Sequence, residues 1–251
     1  MNSEAKSVPL QEVVNGICWS YRVLDDGTVE IVGKPSPRPA GDLEFPARLG
    51  GRPVTRIGDA VLHGCAELAS VTVPEGVVVL GAEVFYGCTE LETVVFPASL
   101  EETGSHAFCR CPKLREFRIA DGNPVFVFYR GFLLRRDRRM LVRAVGQEGD
   151  VTVPAGVEEI ADGAFSGCTG VTSVALPDGL RIIWDDVFEF CDNLTTMRIP
   201  GSLAAVGFDV FYGSPKLRTL RVQPGDAERI REVLEEWASA EVSFNYVFEE
   251  S

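Results

Sequence analysis

The amino-acid sequence repeats one pattern every 23 residues. Repeats that begin at Pro154, Pro177 and Pro200 follow one another at this spacing, and another begins at Pro74. With the proline as position 0, apolar residues occupy positions 3, 6, 10, 11, 17, 20 and 22, as in Leu180, Ile183, Val187, Phe188, Leu194, Met197 and Ile199. A fixed period of this length is typical of a solenoid, in which stacked coils bury apolar faces that no single coil can bury alone.

Position 14 is a cysteine in five of the six repeats, the first of which starts at residue 51, and a serine in the last. The residues are Cys65, Cys88, Cys111, Cys168, Cys191 and Ser214. Copies of one position in stacked strands lie about 4.8 Å apart with their side chains parallel. Because side chains that run side by side do not point at each other, disulfides are unfavourable. We therefore predict a structural ladder of buried free thiols.

Each repeat also carries one short strand signal at its end. Positions 20 and 22 are apolar and point inwards, positions 19 and 21 point outwards, and the next proline ends the strand. Stacked parallel strands would form one exposed sheet face on the order of 25 Å long. Its outward columns are Ser70, Thr93, Glu116, Ser173, Thr196 and Thr219 at position 19, and Thr72, Val95, Arg118, Ala175, Arg198 and Arg221 at position 21.

Residues 120–153 form a 34-residue insertion between the third and fourth repeats. Apolar runs at 125–129 and 132–134, a charged tip at 135–139 and a returning run at 140–145 predict a β-hairpin. Residues 130–143 contain six arginines and one aspartate, in a chain of net charge −13. The tip is either simply solvated or a docking point for an acidic protein or glycan. The docking residues would be Arg135, Arg136, Arg138 and Arg139.

The two ends of the chain predict caps for the stack. Alternating apolar residues at 17–23 and 29–31 flank an Asp26-Gly27 turn and predict an N-terminal β-hairpin. Residues 1–12 are expected to be frayed, and a first ladder strand follows at 43–46. Near the C-terminus, apolar residues at helical spacing after Asp226 predict a helix, with a final strand at 242–248. The helix residues are Ala227, Ile230, Val233, Leu234, Trp237 and Ala238.

The repeats resemble those of the BspA-like leucine-rich-repeat family, most closely at 199–217 (IPGSLAAVGFDVFYGSPKL) and 153–168 (VPAGVEEIADGAFSGC). The resemblance covers roughly residues 16–224. It implies a right-handed solenoid of the kind often found on bacterial or protist surfaces, where several members bind host or matrix proteins. The resemblance suggests a cell-surface or secreted location, whereas residues 1–11 lack the features of a secretory signal. The alternative is a location inside the cell.

Together, the repeats and the resemblance predict a mainly β leucine-rich-repeat solenoid of six 23-residue repeats with short parallel strands. We expect a single domain over residues 1–251. Its parts are the N-terminal cap and first strand at 13–46, repeats at 51–119 and 154–222, the inserted hairpin at 120–153 and the C-terminal helix cap at 223–251.

Little in the sequence indicates catalysis, a cofactor or a metal site. The two histidines, His63 and His106, occupy different repeat positions, and no glycine-rich phosphate loop or paired CxxC motif occurs. An acidic cluster comprises Asp185, Asp186, Glu189 and Asp192. It lies at outer positions, where solvated charge is the ordinary interpretation. The negative charge disfavours nucleic acid and anionic membranes, and no apolar run is long enough for membrane insertion.

These observations favour a monomeric, non-catalytic module that binds a protein or glycan. The sheet face is the first candidate surface and the arginine hairpin the second. The residues of the sheet face are Thr72, Thr93, Thr196, Thr219, Arg118, Arg198 and Arg221. The alternative is a structural spacer in a larger assembly. An enzyme would need a deep pocket near His63, His106 or the acidic cluster.

Overall fold

The computed structural model describes residues 8–236 and 247–250, and it is a mainly β structure of stacked coils. The chain forms two compact bodies. The N-terminal body comprises Met1–Cys111 and Phe117–Pro124, and the C-terminal body comprises Pro112–Glu116 and Val125–Ser251. Each body contains three of the cysteine- or serine-bearing repeats, so each is a short solenoid stack.

The N-terminal body contains two main sheets. One runs from an antiparallel meander into a parallel ladder: β1 (Leu10–Val14), β2 (Ile17–Val23), β3 (Val29–Ser36), β6 (Arg52–Ile57), β8 (Val79–Leu80) and β10 (Glu102–Thr103). The other is built from β4 (Gly41–Glu44), β7 (Leu68–Thr72), β9 (Thr93–Phe96) and β11 (Glu116–Ile119). The short β5 (Arg48–Leu49) pairs antiparallel with β6.

The C-terminal body follows the same plan. Its first sheet consists of β12 (Phe126–Tyr129), β13 (Phe132–Arg135), β14 (Met140–Ala144), β16 (Glu159–Ile160), β18 (Ile182–Ile183) and β20 (Ala205–Val206). Its second consists of β15 (Gly149–Thr152), β17 (Val171–Ala175), β19 (Thr196–Arg198), β21 (Thr219–Val222) and β22 (Val247–Glu250). Helix α1 (Ala227–Glu236) follows the last coil and buries Ile230 and Leu234 in the core.

The mainly β solenoid with parallel strands is thus confirmed, with one correction to the coil. The repeat pattern predicts one strand in each repeat, whereas each coil has two, the second lying at positions 5 and 6. Val79–Leu80 and Ile182–Ile183 are examples. A two-residue strand offers a single inward side chain, so it leaves no alternation for a pattern to detect.

The expected fraying of residues 1–12 is wrong for the part that the structure describes. Leu10–Val14 forms a strand that pairs antiparallel with Ile17–Val23. The turn between them is Asn15-Gly16, whose φ angles of 50° and 78° are both positive, as a two-residue type I′ hairpin turn requires. That dipeptide is the sequence signal that identifies the strand.

The predicted hairpin in residues 120–153 is present, and the segment contains more than a hairpin. Strands β13 and β14 pair antiparallel around the charged tip, and β12 adds a third strand through a turn at Arg130-Gly131. Strand β14 then pairs parallel with β16, and β15 pairs parallel with β17. The segment therefore starts the stack of the C-terminal body, as β1 to β4 start that of the N-terminal body.

One arginine in each body, Arg38 after β3 and Arg143 on β14, makes a matching contact with the first coil of that body. The guanidinium of Arg38 donates to the carbonyl of His63 at 2.9 Å, and that of Arg143 donates to the carbonyl of Ser166 at 2.8 Å. His63 and Ser166 both occupy position 12 of their repeats. Arg143 is 4% exposed. It belongs to the coil packing rather than to the charged tip of the hairpin.

Both stacks also end with a polar side chain that binds carbonyls of the last coil. Asn123 donates to the carbonyl of Leu100 at 3.0 Å, and Arg229 on α1 donates to that of Leu203 at 2.7 Å. Leu100 and Leu203 occupy position 3 of their repeats.

The predicted C-terminal helix is present through residue 236. Trp237, Ala238 and most of the predicted final strand lie outside the described residues, and Val247–Glu250 pairs with β21.

Phenylalanine rings connect the coils inside each body. In the C-terminal body, Phe165, Phe188 and Phe211 stand at position 11 of consecutive repeats and stack with centroid distances of 5.0 and 5.8 Å. In the N-terminal body, Phe85 and Phe108 stack at 5.6 Å. Because the rings stack at the spacing of the coils, one phenylalanine in each of these repeats fills the interior of one coil.

Candidate functional site

The residues at position 14 form a hydrogen-bonded ladder inside each stack. In four of the six repeats this residue donates to the carbonyl of position 11 in the preceding coil, as Cys191 does to Phe165 at 3.3 Å and Ser214 to Phe188 at 2.6 Å. Cys88 and Cys111 make the same bond, and the half-buried Cys168 approaches the carbonyl of Ala144 at 3.7 Å. All seven cysteines are free thiols. A small donor at this position links neighbouring coils, which explains why only cysteine and serine occur there.

Burial raises the pKa of the ladder thiols. The effect is largest for Cys88 and Cys191, whose pKa lies well above the ordinary value of 9.0 because the thiolate would lose its hydration. The pKa of Cys65 and of Cys168 is also raised by burial, and the guanidiniums of Arg38 and Arg143 oppose the increase. A protonated, enclosed thiol is a poor nucleophile and a poor metal ligand.

Alkaline pH is expected to destabilise the protein through these thiols. Above the ordinary pKa of 9.0, thiols of the unfolded chain ionise while those of the folded chain keep their protons. The unfolded state then binds fewer protons, so the free energy of unfolding falls as the pH rises. Urea denaturation under reducing conditions between about pH 8 and pH 10 measures this slope. The control is Cys88→Ser with Cys191→Ser, which should make the slope shallower; an unchanged slope would contradict the assignment.

The outward strand columns are in register within each body. In the C-terminal body Ser173, Thr196 and Thr219 are direct neighbours across three parallel strands. In the N-terminal body Thr72 faces Val95, and Ser70 faces Thr93. The strands lie in two sheets, one in each body, rather than in the single six-stranded face that the repeat count predicts. The reason is that the segment after the third repeat brings its own strand, β15.

The arginines on these strands have carboxylate partners in the C-terminal body. Arg198 contacts Asp178 at 2.8 Å, and Arg221 contacts Glu249 on β22 at 3.2 Å. Arg118 lies exposed on β11 in the N-terminal body. At the start of both sheets an aspartate accepts a hydrogen bond from the serine of the next strand: Ser70 to Asp42 and Ser173 to Asp150, each at 2.6 Å. The strand face is therefore polar and largely charge-balanced.

The four arginines at the hairpin tip all contact other groups of the same body. The guanidinium of Arg138 lies over the Tyr129 ring, 4.9 Å from its centroid, and Arg135 lies 5.9 Å from that of Phe126. Arg136 donates to the carbonyl of Phe126, and Arg139 lies 3.5 Å from Glu158. Arg136, Arg138 and Arg139 remain exposed. The hairpin thus presents a basic surface whose side chains are held in place by aromatic and acidic neighbours.

The acidic cluster of the fifth repeat is partly structural rather than simply solvated. Asp185 accepts a hydrogen bond from the backbone N–H of Phe208 at 2.7 Å, and its own N–H donates to Asp162 at 3.1 Å. Glu189 accepts a hydrogen bond from the hydroxyl of Ser166 at 3.0 Å.

The histidine His63 stacks on Tyr86, with ring centroids 4.9 Å apart. Within residues 8–236 and 247–250, no group of three or more His, Cys, Asp or Glu side chains has metal-binding geometry.

One exposed group was not identified from the sequence pattern. Trp184, Phe208 and Tyr212 are large aromatic side chains on the outer side of the last two coils, and each is more than two-fifths exposed. The signal was available, since Trp184 stands at position 7, where the other five repeats have glycine or alanine. A search for apolar residues that recur overlooks an apolar residue that occurs once.

The described residues contain no helix that is long and apolar enough to cross a membrane.

A family model described as "BspA type Leucine rich repeat region" matches six copies in the chain, over residues 51–127 and 148–234. No curated protein gives a match.

Several crystal structures share this fold. The leucine-rich repeat protein of T. pallidum is 26% identical over 91% of this chain and 97% of its own, with a TM-score of 0.53. A leucine-rich repeat protein of Eubacterium ventriosum is 15% identical over 85% of this chain and 72% of its own, with a TM-score of 0.53. The pneumococcal vaccine antigen PcpA is 15% identical over 97% and 99%, with a TM-score of 0.54. The last two similarities concern the fold alone.

Proposed function

Because the chain belongs to the BspA-type leucine-rich repeat family, we propose that it is a non-catalytic module that binds another protein through its strand faces. Repeat families of this kind are typically interaction modules, since a stack of coils offers an extended surface and few enclosed sites. The favoured surface is the outward side of the sheet in the C-terminal body, from Asp150 to Arg221. It carries Ser173, Thr196, Thr219 and Arg198 between those ends.

The observation that carries this proposal is the in-register column Ser173, Thr196 and Thr219 above a fixed core. The inward residues of the same strands, Val174, Met197 and Leu220, are at most 1% exposed, so the backbone beneath the column is held firmly. A surface that is ordered before binding loses little conformational entropy when a partner docks. Short hydroxyl side chains can donate and accept hydrogen bonds, and they leave the sheet open to close approach.

The finer form of the proposal is adhesion, with a matrix protein or a surface glycan as the partner. Its support is the resemblance to surface proteins of the same family. The arginine hairpin is the second contact surface in this proposal, because its basic tip suits an acidic protein or an anionic glycan. The remaining alternative is a structural spacer, for which neither surface binds anything.

A capture experiment with two matched variants tests these surfaces. Thr196→Tyr with Thr219→Tyr keeps strand propensity and blocks the column sterically. The other variant changes Arg135, Arg136, Arg138 and Arg139 to Glu. A partner captured by the intact protein is expected to bind at least about tenfold more weakly to the tyrosine variant, a loss of roughly 1.4 kcal/mol or more.

Quantitative binding of each captured partner to the purified variants gives the outcome. If the partner binds more weakly to the glutamate variant alone, the binding site is the arginine hairpin. Equal binding to all three proteins would reject both surfaces, and the absence of any partner would favour the spacer. Identification of the partner as a matrix protein, a glycan or an intracellular protein tests adhesion separately.

A further inference from the structure

The last two coils of the C-terminal body expose aromatic side chains to solvent. Trp184 is 43% exposed, Phe208 57% and Tyr212 48%. They lie on two outer arcs, 184–191 and 207–214, which connect the two strands of each coil. We call these two segments the aromatic arcs. Single exposed apolar residues are ordinary, whereas three large aromatic side chains exposed on two neighbouring coils are a surface feature typical of interaction sites.

The aromatic arcs carry large side chains at two repeat positions where most of the other repeats have small residues. Position 7 is Trp184 here, and in the other repeats it is Gly58, Gly81, Gly104, Ala161 and Gly207. Position 13 has positive φ throughout and is glycine in four repeats, but it is Phe190 here with φ of 52°. A bulky side chain in this left-handed region is unfavourable. Packing alone does not explain a phenylalanine at a position that is glycine in four of the other five repeats and Arg110 in the fifth.

Phe190 and Tyr212 form a corner between neighbouring coils. Their ring centroids are 5.6 Å apart and the rings are nearly perpendicular, with an interplanar angle of 80°. A Cβ added at Gly213 would lie 2.5 Å from the Phe190 ring, so the glycine leaves the room that this ring occupies. Perpendicular rings surround a compact group from two sides. They do not offer the single flat platform on which a sugar ring stacks.

The charges of the aromatic arcs decide the chemistry of the occupant. The arcs contain Asp185, Asp186, Glu189 and Asp209 and neither lysine nor arginine. Trp184 donates its indole N–H to Glu159 at 3.2 Å, so another carboxylate lies beside this ring. The nearest basic residue after the arcs, Lys216, is already hydrogen-bonded to Asn193. Aromatic faces and carboxylates both attract cations, and carboxylates disfavour anions.

We propose that the aromatic arcs bind a lysine- or arginine-rich segment of a partner protein. The alkyl stems of its side chains would lie on Trp184 and Phe208, and the Phe190–Tyr212 corner would take a cationic head group. The acidic residues of the arcs supply the complementary charge. This surface is separate from the strand columns, so it stands or falls independently of the function proposed above.

Fluorescence anisotropy with a labelled peptide of nine alternating arginine and glycine residues tests the proposal at physiological salt. The test variant carries Trp184→Gly, Phe190→Gly, Phe208→Ala and Tyr212→Ser, each a residue that another repeat has at the same position. These substitutions leave the net charge at −13. We expect the peptide to bind the intact protein and to bind the variant at least about tenfold more weakly.

Matched controls separate this site from general attraction to an acidic protein. Tyr129→Ser removes an exposed aromatic residue elsewhere and should leave binding unchanged. The single variant Phe190→Gly removes the strain of a bulky residue at positive φ and deletes one ring of the corner. Circular dichroism verifies that this variant is folded. Equal binding of the peptide to the intact protein and the four-residue variant would overturn the proposal. So would the absence of peptide binding, or ring-dependent binding of a neutral oligosaccharide in its place.

Discussion

Phe188→Ala is expected to lower the free energy of unfolding by about 3–5 kcal/mol. Phe188 is fully buried, and it stacks between Phe165 and Phe211 at centroid distances of 5.0 and 5.8 Å. Alanine would remove the ring and leave a cavity between two coils, each of which relies on the ring for packing. Domains of this size are stable by only about 5–15 kcal/mol, so the loss is a large share of the total. Urea denaturation followed by far-UV circular dichroism measures it.

Phe208→Ala is the matched control for this prediction. It makes the same chemical change in the next coil, at a side chain that is 57% exposed. Its expected effect on the free energy of unfolding is within about 0.5 kcal/mol, the usual range for surface substitutions. Similar losses for the two variants would contradict the view that stacking of the inner rings holds the coils together.

The register of the stack was predictable from the sequence because the repeat length fixes it. A constant 23-residue step places Ser173, Thr196 and Thr219 opposite one another, and the structure pairs these residues directly. The same step places position 14 of each coil next to position 14 of the neighbouring coil. Position-specific inference therefore works well inside the repeats, where one coil sets the environment of the next.

The construction of the segment before the fourth repeat was only partly predictable. Its apolar runs indicate a hairpin, but the parallel pairing of Met140–Ala144 with Glu159–Ile160 depends on contacts made after the chain has turned twice. The turns themselves give the clearest clue. Asn15-Gly16 and Arg130-Gly131 adopt the same pair of positive φ angles, and in the following turn Gly27 and Arg138 both have positive φ. Because arginine is an unusual residue for that conformation, the similarity is difficult to recognise from residue types.

The partners of the candidate site residues could not be predicted, since they lie outside the repeat spacing. Arg198 meets Asp178, which is 20 residues earlier, and Arg221 meets Glu249, which is 28 residues later. Neither separation equals the period. The pattern places the arginines on the correct strands, and only the packed structure tells which carboxylate reaches them. The aromatic arcs escape prediction for a related reason, because they are exceptions to the repeat.

Asn123→Ala is expected to destabilise the N-terminal body by about 1–3 kcal/mol, the usual cost of a buried carbonyl left without a donor. The Leu100 carbonyl would lose its donor, whereas the Pro97 carbonyl would still accept from the backbone N–H of Leu100. Asn123 is 1% exposed, and its side-chain amide donates to the carbonyls of Pro97 at 2.8 Å and Leu100 at 3.0 Å. It stands where a further coil would bring its position 3, which is valine or leucine in all six repeats. An apolar residue there continues a stack, whereas an amide satisfies the carbonyls of the last coil.

Asn193→Ala distinguishes this closing role from an ordinary hydrogen bond. The Asn193 amide also donates to a carbonyl of the preceding coil, that of Thr169 at 2.8 Å, but the side chain is exposed. Water can replace that bond, so the expected loss is within about 0.5 kcal/mol. Urea denaturation of the two variants gives the comparison, and hydrogen exchange should locate the Asn123→Ala loss in the coil that contains Pro97 and Leu100. A loss of equal size at both positions would mean that burial of the carbonyls, and hence the closing of the stack by Asn123, contributes nothing.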